Sequence, residues 1–337
     1  MSRPTRIDIR AAADRISAAQ RVVITTHARA DGDAIGSVAS LQRVLRSQGK
    51  QATAYLHEPP SARYAFLGEI EPLAVWPAQR SVASAVDVLS SCDLLLVLDT
   101  CAAIQLGDVA AAIRTAGLPK LAIDHHITRD DIVDAAWVDE SAGACAQLVL
   151  RLCEQSKWPT DAATATLLFV GLATDTGWFR FSNADRQVFS DASRLIAAGA
   201  APNELYERLY LCEILPRVRL VGEVMAGFEL LADGRVAVIR LTREMLARCG
   251  ATREMTEDLI NEPMRLASVV ACAMFTEPEA GEPVRVSIRS KRDVDVAALA
   301  ARWGGGGHAR AAGAKVSGEY AAIIREFTAS LCQALGA

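Results

Sequence analysis

Val22-Val23-Ile24-Thr25-Thr26-His27-Ala28-Arg29-Ala30-Asp31-Gly32-Asp33-Ala34-Ile35-Gly36-Ser37 joins a run of β-branched residues to a segment whose apolar positions recur at helical spacing. The run to Thr26 reads as a strand and Ile35 to Gln48 as a helix. Between them one imidazole and two carboxylates sit in a short loop. In a parallel α/β sheet such a loop, at the carboxyl end of a strand, opens into the crevice where ligands bind. An alternative reading has Asp31 and Asp33 only capping the helix that follows.

Outward from this unit the same alternation continues. Gln51 to Leu56, Leu94 to Asp99 and Leu121 to Asp124 are strand-like runs separated by helical patterns, which predicts βαβ units in a doubly wound, mostly parallel sheet. Leu94-Leu95-Leu96-Val97-Leu98 carries no polar residue, as a strand covered on both faces requires, so it is expected at the centre. Helical spacing then runs from Gly143 to about Gly199 and through Pro202 to about Phe228. Strand-like runs at Val236 to Leu241, Val269 to Phe275 and Val284 to Ile288, with helices at Val294 to Arg302 and Tyr320 to Leu335, describe a smaller mixed α+β domain. The expected organisation is a catalytic domain over 1–185, a helical linker over 186–215 and a second domain over 216–337.

The chain has 337 residues, 51% of them hydrophobic, which is enough for two cores. A formal charge of −4 gives no overall basic field, which argues against affinity for long nucleic acid through many phosphate contacts. A small anionic substrate, held locally, is compatible with it. Eight cysteines without a Cys-x-x-Cys pair read as reduced core residues. The N-terminal segment has no continuous apolar stretch, and the longest apolar runs fall far short of the roughly 20 residues of a membrane span. The expectation is a cytoplasmic protein that does not engage a membrane.

Only five histidines are present, and four of them lie beside carboxylates or glycines in predicted loops. Two further strands end as the first does, at Leu98-Asp99-Thr100 and at Ile123-Asp124-His125-His126. A fourth contribution is Leu172-Ala173-Thr174-Asp175-Thr176-Gly177-Trp178-Phe179, where Asp175 closes an apolar helix. So many converging carboxylates would repel one another and hold protons unless cations neutralised them. On local grounds Asp175 could instead be a capping residue, and Trp178 and Phe179 could be crevice wall or a stacking platform.

In the second domain Gly304-Gly305-Gly306-Gly307-His308 follows a helical pattern and lacks G-x-G-x-x-G spacing, which disfavours a nicotinamide cofactor. Glycines let a backbone approach a ligand and turn its N–H groups toward an anion, with His308 adding a side-chain donor. A plain flexible loop is the alternative. Arg289 and Lys291 either add phosphate contacts or form a solvated face.

His-x-x-x-Asp-x-Asp, a strand-terminal Asp, Asp-His-His and a later Asp, in that order, resemble the pattern of the DHH phosphoesterases. The glycine run continuing to Ala311-Ala312-Gly313 resembles their associated substrate domain. The resemblance covers about residues 15 to 335 and is to the stand-alone nanoRNase branch. It implies one divalent ion on His27, Asp31 and Asp99, and a second on Asp33, Asp99, His125 and Asp175, with Asp99 bridging. Asp124 would orient an imidazole, His126 would serve the substrate, and Arg289, Gly304, Gly305, Gly306, Gly307 and His308 would grip the nucleotide. Mixed imidazole and carboxylate donors suit Mn²⁺ better than Mg²⁺. Two such ions lower the pKa of a bridging water and clamp the attacking and leaving oxygens of an in-line displacement. The implied activity is hydrolysis of RNA oligomers of two to five nucleotides and of the 3′-phosphate of pAp, with a homodimer allowed. A soluble cyclic di-AMP or pApA phosphodiesterase is the enzymatic alternative, and a non-catalytic nucleotide sensor the alternative of another class. One departure stands out: Gln105 occupies a position where many relatives carry arginine, with Arg29 a candidate substitute.

Overall fold

The computed structural model describes residues 4–77, 82–126, 130–256, 258–291 and 294–336. Its strands are β1 (Thr5–Arg6), β2 (Arg21–Thr25), β3 (Gln51–Leu56), β4 (Ala74–Val75), β5 (Leu94–Leu98), β6 (Lys120–Asp124) and β7 (Ala135–Val138) in the first sheet. The second sheet holds β8 (Glu229–Leu231), β9 (Val236–Leu241), β10 (Ala271–Thr276), β11 (Val284–Ser290), β12 (Gly306–His308) and β13 (Ala311–Val316).

The first sheet has the order β1-β7-β6-β5-β2-β3-β4 and every pairing in it is parallel. β5 is the middle strand, as its uninterrupted apolar run predicts. Alternate residues of each strand feed two cores: Val22, Ile24, Leu94, Leu96 and Leu98 face one side, and Val23, Leu95 and Val97 the other. Chain order reverses between β5 and β2, and their carboxyl ends therefore flank the topological switch point of the sheet.

Two helices bring the remaining functional residues to that edge. The Gly32–Ser47 helix and the Ala162–Asp175 helix lie against each other through positions with no room for a side chain. A Cβ at Gly36 would stand 2.4 Å from the Leu167 carbonyl oxygen, and one at Gly171 would stand 2.8 Å from Asp33 Oδ1. These contacts fix Asp175 at the end of one helix relative to Asp33 at the start of the other.

The second sheet, in the order β12-β13-β11-β10-β9-β8, is antiparallel except for the parallel β9–β10 pair. One face packs on the Val296–Ala301 and Tyr320–Ala334 helices through Val286, Ile288, Leu299 and Phe327. The other carries a separate core containing Ile239, Met274, Leu220 and Leu246.

The two compact units are Met1–Cys212 and Glu213–Ala337. The stretch expected as a linker over 186–215 packs largely into the first unit, because Val188, Leu195, Leu205 and Leu209 join its core. The glycine run also differs from the loop it suggests, since Gly306–His308 is a strand paired to Ala311–Gly313. Among the described residues no helix is long and apolar enough to cross a membrane.

Candidate metal centre

β2, β5 and β6 end in His27, Asp99 and the Asp124-His125-His126 run, side by side at the switch point. Asp99 sits where the two sets of groups meet. Its Oδ2 lies 3.4 Å from His27 Nε2, and its Oδ1 lies 3.3 Å from His125 Nε2. Asp31 Oδ1 is 3.9 Å from His27 Nε2. On the other side Asp33 Oδ2 and Asp175 Oδ2 lie 3.9 and 3.7 Å from His125 Nε2. Two ligand-like groups result, His27/Asp31/Asp99 and Asp33/His125/Asp175, each with its donor atoms within 4.8 Å of one another, and a third, Asp99/His125/His126, overlaps both.

Both imidazoles are aimed from behind. His27 Nδ1 is 3.0 Å from the Ala28 carbonyl oxygen and His125 Nδ1 is 3.1 Å from that of Ala142. A proton on each Nδ1 leaves the Nε2 lone pair facing the carboxylates, the tautomer a cation requires. His126 is held differently. Its backbone N–H and Nδ1 lie 3.1 and 2.8 Å from Asp124 Oδ1, and Asp124 is buried. Thus Asp124 orients His126 rather than joining either group of three.

The first motif's aspartates also do the capping that the bland reading proposed. Asp31 Oδ1 accepts from the N–H groups of Asp33 and Ala34 and caps its helix. Asp33 accepts from Cys145 and Ala146, at 2.6 and 2.9 Å, and so sits on the N-terminus of the Cys145–Gln155 helix. Two helix N-termini thereby help to hold negative charge in a buried place. This cradle, 112 residues away along the chain, leaves no mark in the sequence near Asp33.

The electrostatics show what the cluster lacks. Burial pushes the Asp33 carboxyl well above its ordinary range, and the neighbouring charges of Asp99 and Asp175 add to the effect. Asp175 is pushed up to about 7 by burial, against the pull of His125 and with the push of Asp99. Burial disfavours charge on His27 and His125, yet the Asp99 carboxylate outweighs it and raises them to about 9 and about 10. Burial works the same way on Asp99, but the His125 and His27 imidazoles override it and hold its carboxyl far below the usual range. Left to itself, the cluster balances its charge with protons. Among the described residues Asp99 Oδ1 is buried with no hydrogen bond of good geometry, its nearest donor being His125 Nε2 at 3.3 Å. The donor set and the mutual repulsion of its buried carboxylates fit two divalent cations, which would offset that charge in place of protons. Asp99 also has a left-handed backbone, φ 60°, a costly conformation of the kind that collects at functional sites.

The fifth histidine, His57, lies outside both groups, with Nε2 2.8 Å from the Thr26 carbonyl oxygen. Gln105 is turned inward. Its side chain accepts a hydrogen bond from Thr100 Oγ1, and its carbonyl oxygen accepts one from Ala28 N–H at 2.7 Å, tying the loop after Asp99 to the loop after His27. Arg29, in that second loop, is exposed.

In the second unit the glycines divide by cause. Gly304 has φ 71°. A Cβ at Gly305 would lie 2.1 Å from the Gly313 carbonyl oxygen, and one at Gly307 2.5 Å from that of Ala311, whereas one at Gly306 would meet nothing within 4 Å among the described residues. Arg289 is half-buried and faces Ala311 across the strands. The His308 side chain lies outside the described residues.

Residues 21–172 match the DHH family, N-terminal domain, and residues 234–336 match the DHHA1 domain. The bifunctional oligoribonuclease and PAP phosphatase NrnA of Thermus thermophilus is 31% identical over 303 residues, covering 88% of this chain and 84% of that protein. The protein of the same description from Bacillus subtilis is 27% identical, covering 89% and 91%. An exopolyphosphatase-related protein from Bacteroides fragilis shares the fold, with a TM-score of 0.90, 24% identity and coverage of 96% and 95%. The first match contains the strand ends that carry His27, Asp99 and His125, the second contains the glycine hairpin, and the likeness to NrnA spans both: the chain belongs to the DHH family.

Proposed function

We propose that this protein is a metal-dependent phosphoesterase that hydrolyses very short RNA oligonucleotides and removes the 3′-phosphate of pAp. The observation that carries the reading is Asp99, buried between two imidazole-and-carboxylate groups with one oxygen facing each imidazole, at 3.4 and 3.3 Å. Similarity to oligoribonuclease and PAP phosphatase relatives over nearly nine-tenths of the chain supports the choice of substrate. His27, Asp31 and Asp99 would hold one ion, and Asp33, Asp99, His125 and Asp175 a second, with manganese the best fit to the mixed donors. Such ions supply Lewis acidity and an activated water, without which neutral phosphodiester hydrolysis is slow.

The remaining steps belong to side chains of this chain. Asp124 fixes the His126 ring through Nδ1 and raises its affinity for a proton. His126 Nε2 then carries the hydrogen given to a phosphoryl oxygen or to the leaving group. Arg289 and the Gly304–His308 segment hold the nucleotide away from the reacting phosphate, so that binding energy orients the scissile bond.

The test offers the Mn²⁺-loaded protein dinucleotide RNA, pAp, cyclic di-AMP and pyrophosphate, ranked by kcat/KM. Dinucleotide RNA and pAp should lead. A lead for cyclic di-AMP would make the protein a cyclic dinucleotide phosphodiesterase, and binding without turnover of any of them would make it a sensor.

A further inference from the structure

The second sheet carries an unpaired basic row beyond the residues proposed to grip the nucleotide. Val284, Val286 and Ile288 of β11 point into a core, so Arg285, Ser287 and Arg289 lie on the opposite face. Strand register extends that face sideways in three rows. Arg289, Ala311 and His308 are opposite one another, then Ser287, Gly313 and Gly306, then Arg285 and Lys315. The middle row is almost without side chains, and of its members Gly306 meets no steric reason to be glycine among the described residues. The outer rows are basic. The face thus has a row of small residues, Ser287, Gly313 and Gly306, between two rows that carry cations, and this row is the trough.

Arg285 and Lys315 face each other directly across two antiparallel strands, both exposed. Like charges in that relation repel. Among the described residues neither side chain makes a hydrogen bond or an ion pair. Glu282, whose carboxylate senses Lys315, is itself bonded to Arg253 at 2.7 Å. A cross-strand pair of cations, left without a counter-charge beside a floor cleared of side chains, is suited to an external anion. Four residues separate the Arg285 and Arg289 positions, about 13 Å along the strand. One phosphate does not span that distance, whereas an oligonucleotide lying along the trough reaches both rows with successive phosphates.

We propose that Arg285 and Lys315 form a second phosphate-binding subsite, which takes a backbone phosphate one or two residues from the nucleotide held at the Arg289 row and so favours oligonucleotides of three to five residues over dinucleotides and pAp. This rests on the proposed function, since it sets the length preference of the same reaction. A purely apolar ligand would gain nothing from the pair, and a net charge of −4 gives the chain no overall basic field toward long duplex.

The experiment measures kcat/KM of the Mn²⁺-loaded wild type, an Arg285→Ala/Lys315→Ala variant and a charge-keeping Arg285→Lys/Lys315→Arg variant. The substrates are RNAs of two, three, four and five nucleotides, and pAp, at several salt concentrations. The wild type should gain with length beyond two residues. The alanine variant should lose that gain, about tenfold, keep dinucleotide and pAp hydrolysis within twofold, and show a salt slope for the five-residue substrate lower by about 0.7 per lost phosphate contact. The charge-keeping variant should restore the gain. An unchanged length series in the alanine variant overturns the proposal, and so does an equal loss on every substrate including pAp. Wild-type protein that hydrolyses none of these RNAs would overturn the proposed function and this subsite with it.

Discussion

The metal centre and the glycine hairpin are built by opposite means. At the first, side chains crowd together and four of them are aimed from behind: Ala28 and Ala142 carbonyls hold His27 and His125, Asp124 holds His126, and two backbone N–H groups hold Asp33. At the second, side chains have been removed. Gly305 and Gly307 are compelled by neighbouring backbone, while Gly306 is not. The contrast teaches where each site can be damaged. A crowded cluster fails when one charge or donor is lost, and a cleared surface fails when something is added.

The largest effect should come from Asp99→Asn. One carboxylate oxygen faces each imidazole and no neighbour can replace both, so hydrolysis should fall by at least about 10³-fold, beyond the 10- to 100-fold typical of groups that only orient ligands. The circular dichroism spectrum should stay native, because β5 is buried by apolar residues that the change leaves untouched. A chelator should reproduce the loss in the wild type, with Mn²⁺ restoring activity better than Mg²⁺. Activity within threefold of wild type in Asp99→Asn would refute the two-ion assignment and remove the crowded side of the comparison.

Next in size are the paired histidines, which separate a group that serves ions from one that serves substrate. His125→Ala should deplete one of the two bound ions, because Nε2 faces Asp33, Asp99 and Asp175. His126→Ala should keep its metal content and lower kcat by about 10²-fold, the lower end of what positioned acid catalysts contribute. Elemental analysis of the two purified variants is the deciding measurement. Loss of the same ion from both would mean that Asp124 does not keep His126 for the substrate.

How far each region could be read from the sequence follows from the same contrast. Strands β2, β5 and β6 were legible because apolar runs end in a reactive residue, and the crowded cluster followed from those ends. β7 escaped, since Ala135-Ala136-Trp137-Val138 is short and half alanine, and β1 and β4 have two residues each. The helix at Val82–Ser90 also escaped notice. The carbonyl and N–H groups that aim the histidines and Asp33 were beyond reach, because backbone atoms are the same at every position and only the fold chooses among them. The hairpin was read as a loop for a related reason: four glycines signal freedom, but the partner strand that takes it away lies across a turn at Ala311–Val316.

The smallest effect discriminates most finely, because it compares two adjacent glycines with different causes. Gly305→Ala places a methyl 2.1 Å from the Gly313 carbonyl oxygen, so the hairpin must shift. The expected cost is about 1–3 kcal/mol of stability, in line with overpacking elsewhere, seen as a lower denaturation midpoint. Gly306→Val adds a larger side chain whose Cβ meets no atom of the described residues within 4 Å, and a β-branched residue suits a strand. Stability should therefore stay within about 0.5 kcal/mol. If the space above Gly306 belongs to a nucleotide, dinucleotide and pAp hydrolysis should nonetheless drop by about 10²-fold, the scale of a misplaced substrate. Mn²⁺-dependent cleavage of bis-p-nitrophenyl phosphate, which makes few such contacts, should be almost unchanged. Equal loss on both substrates would tie Gly306 to the fold or the metal centre. Full nucleotide activity in Gly306→Val would show that the space above Gly306 serves no ligand, and the cleared side of the comparison would fall.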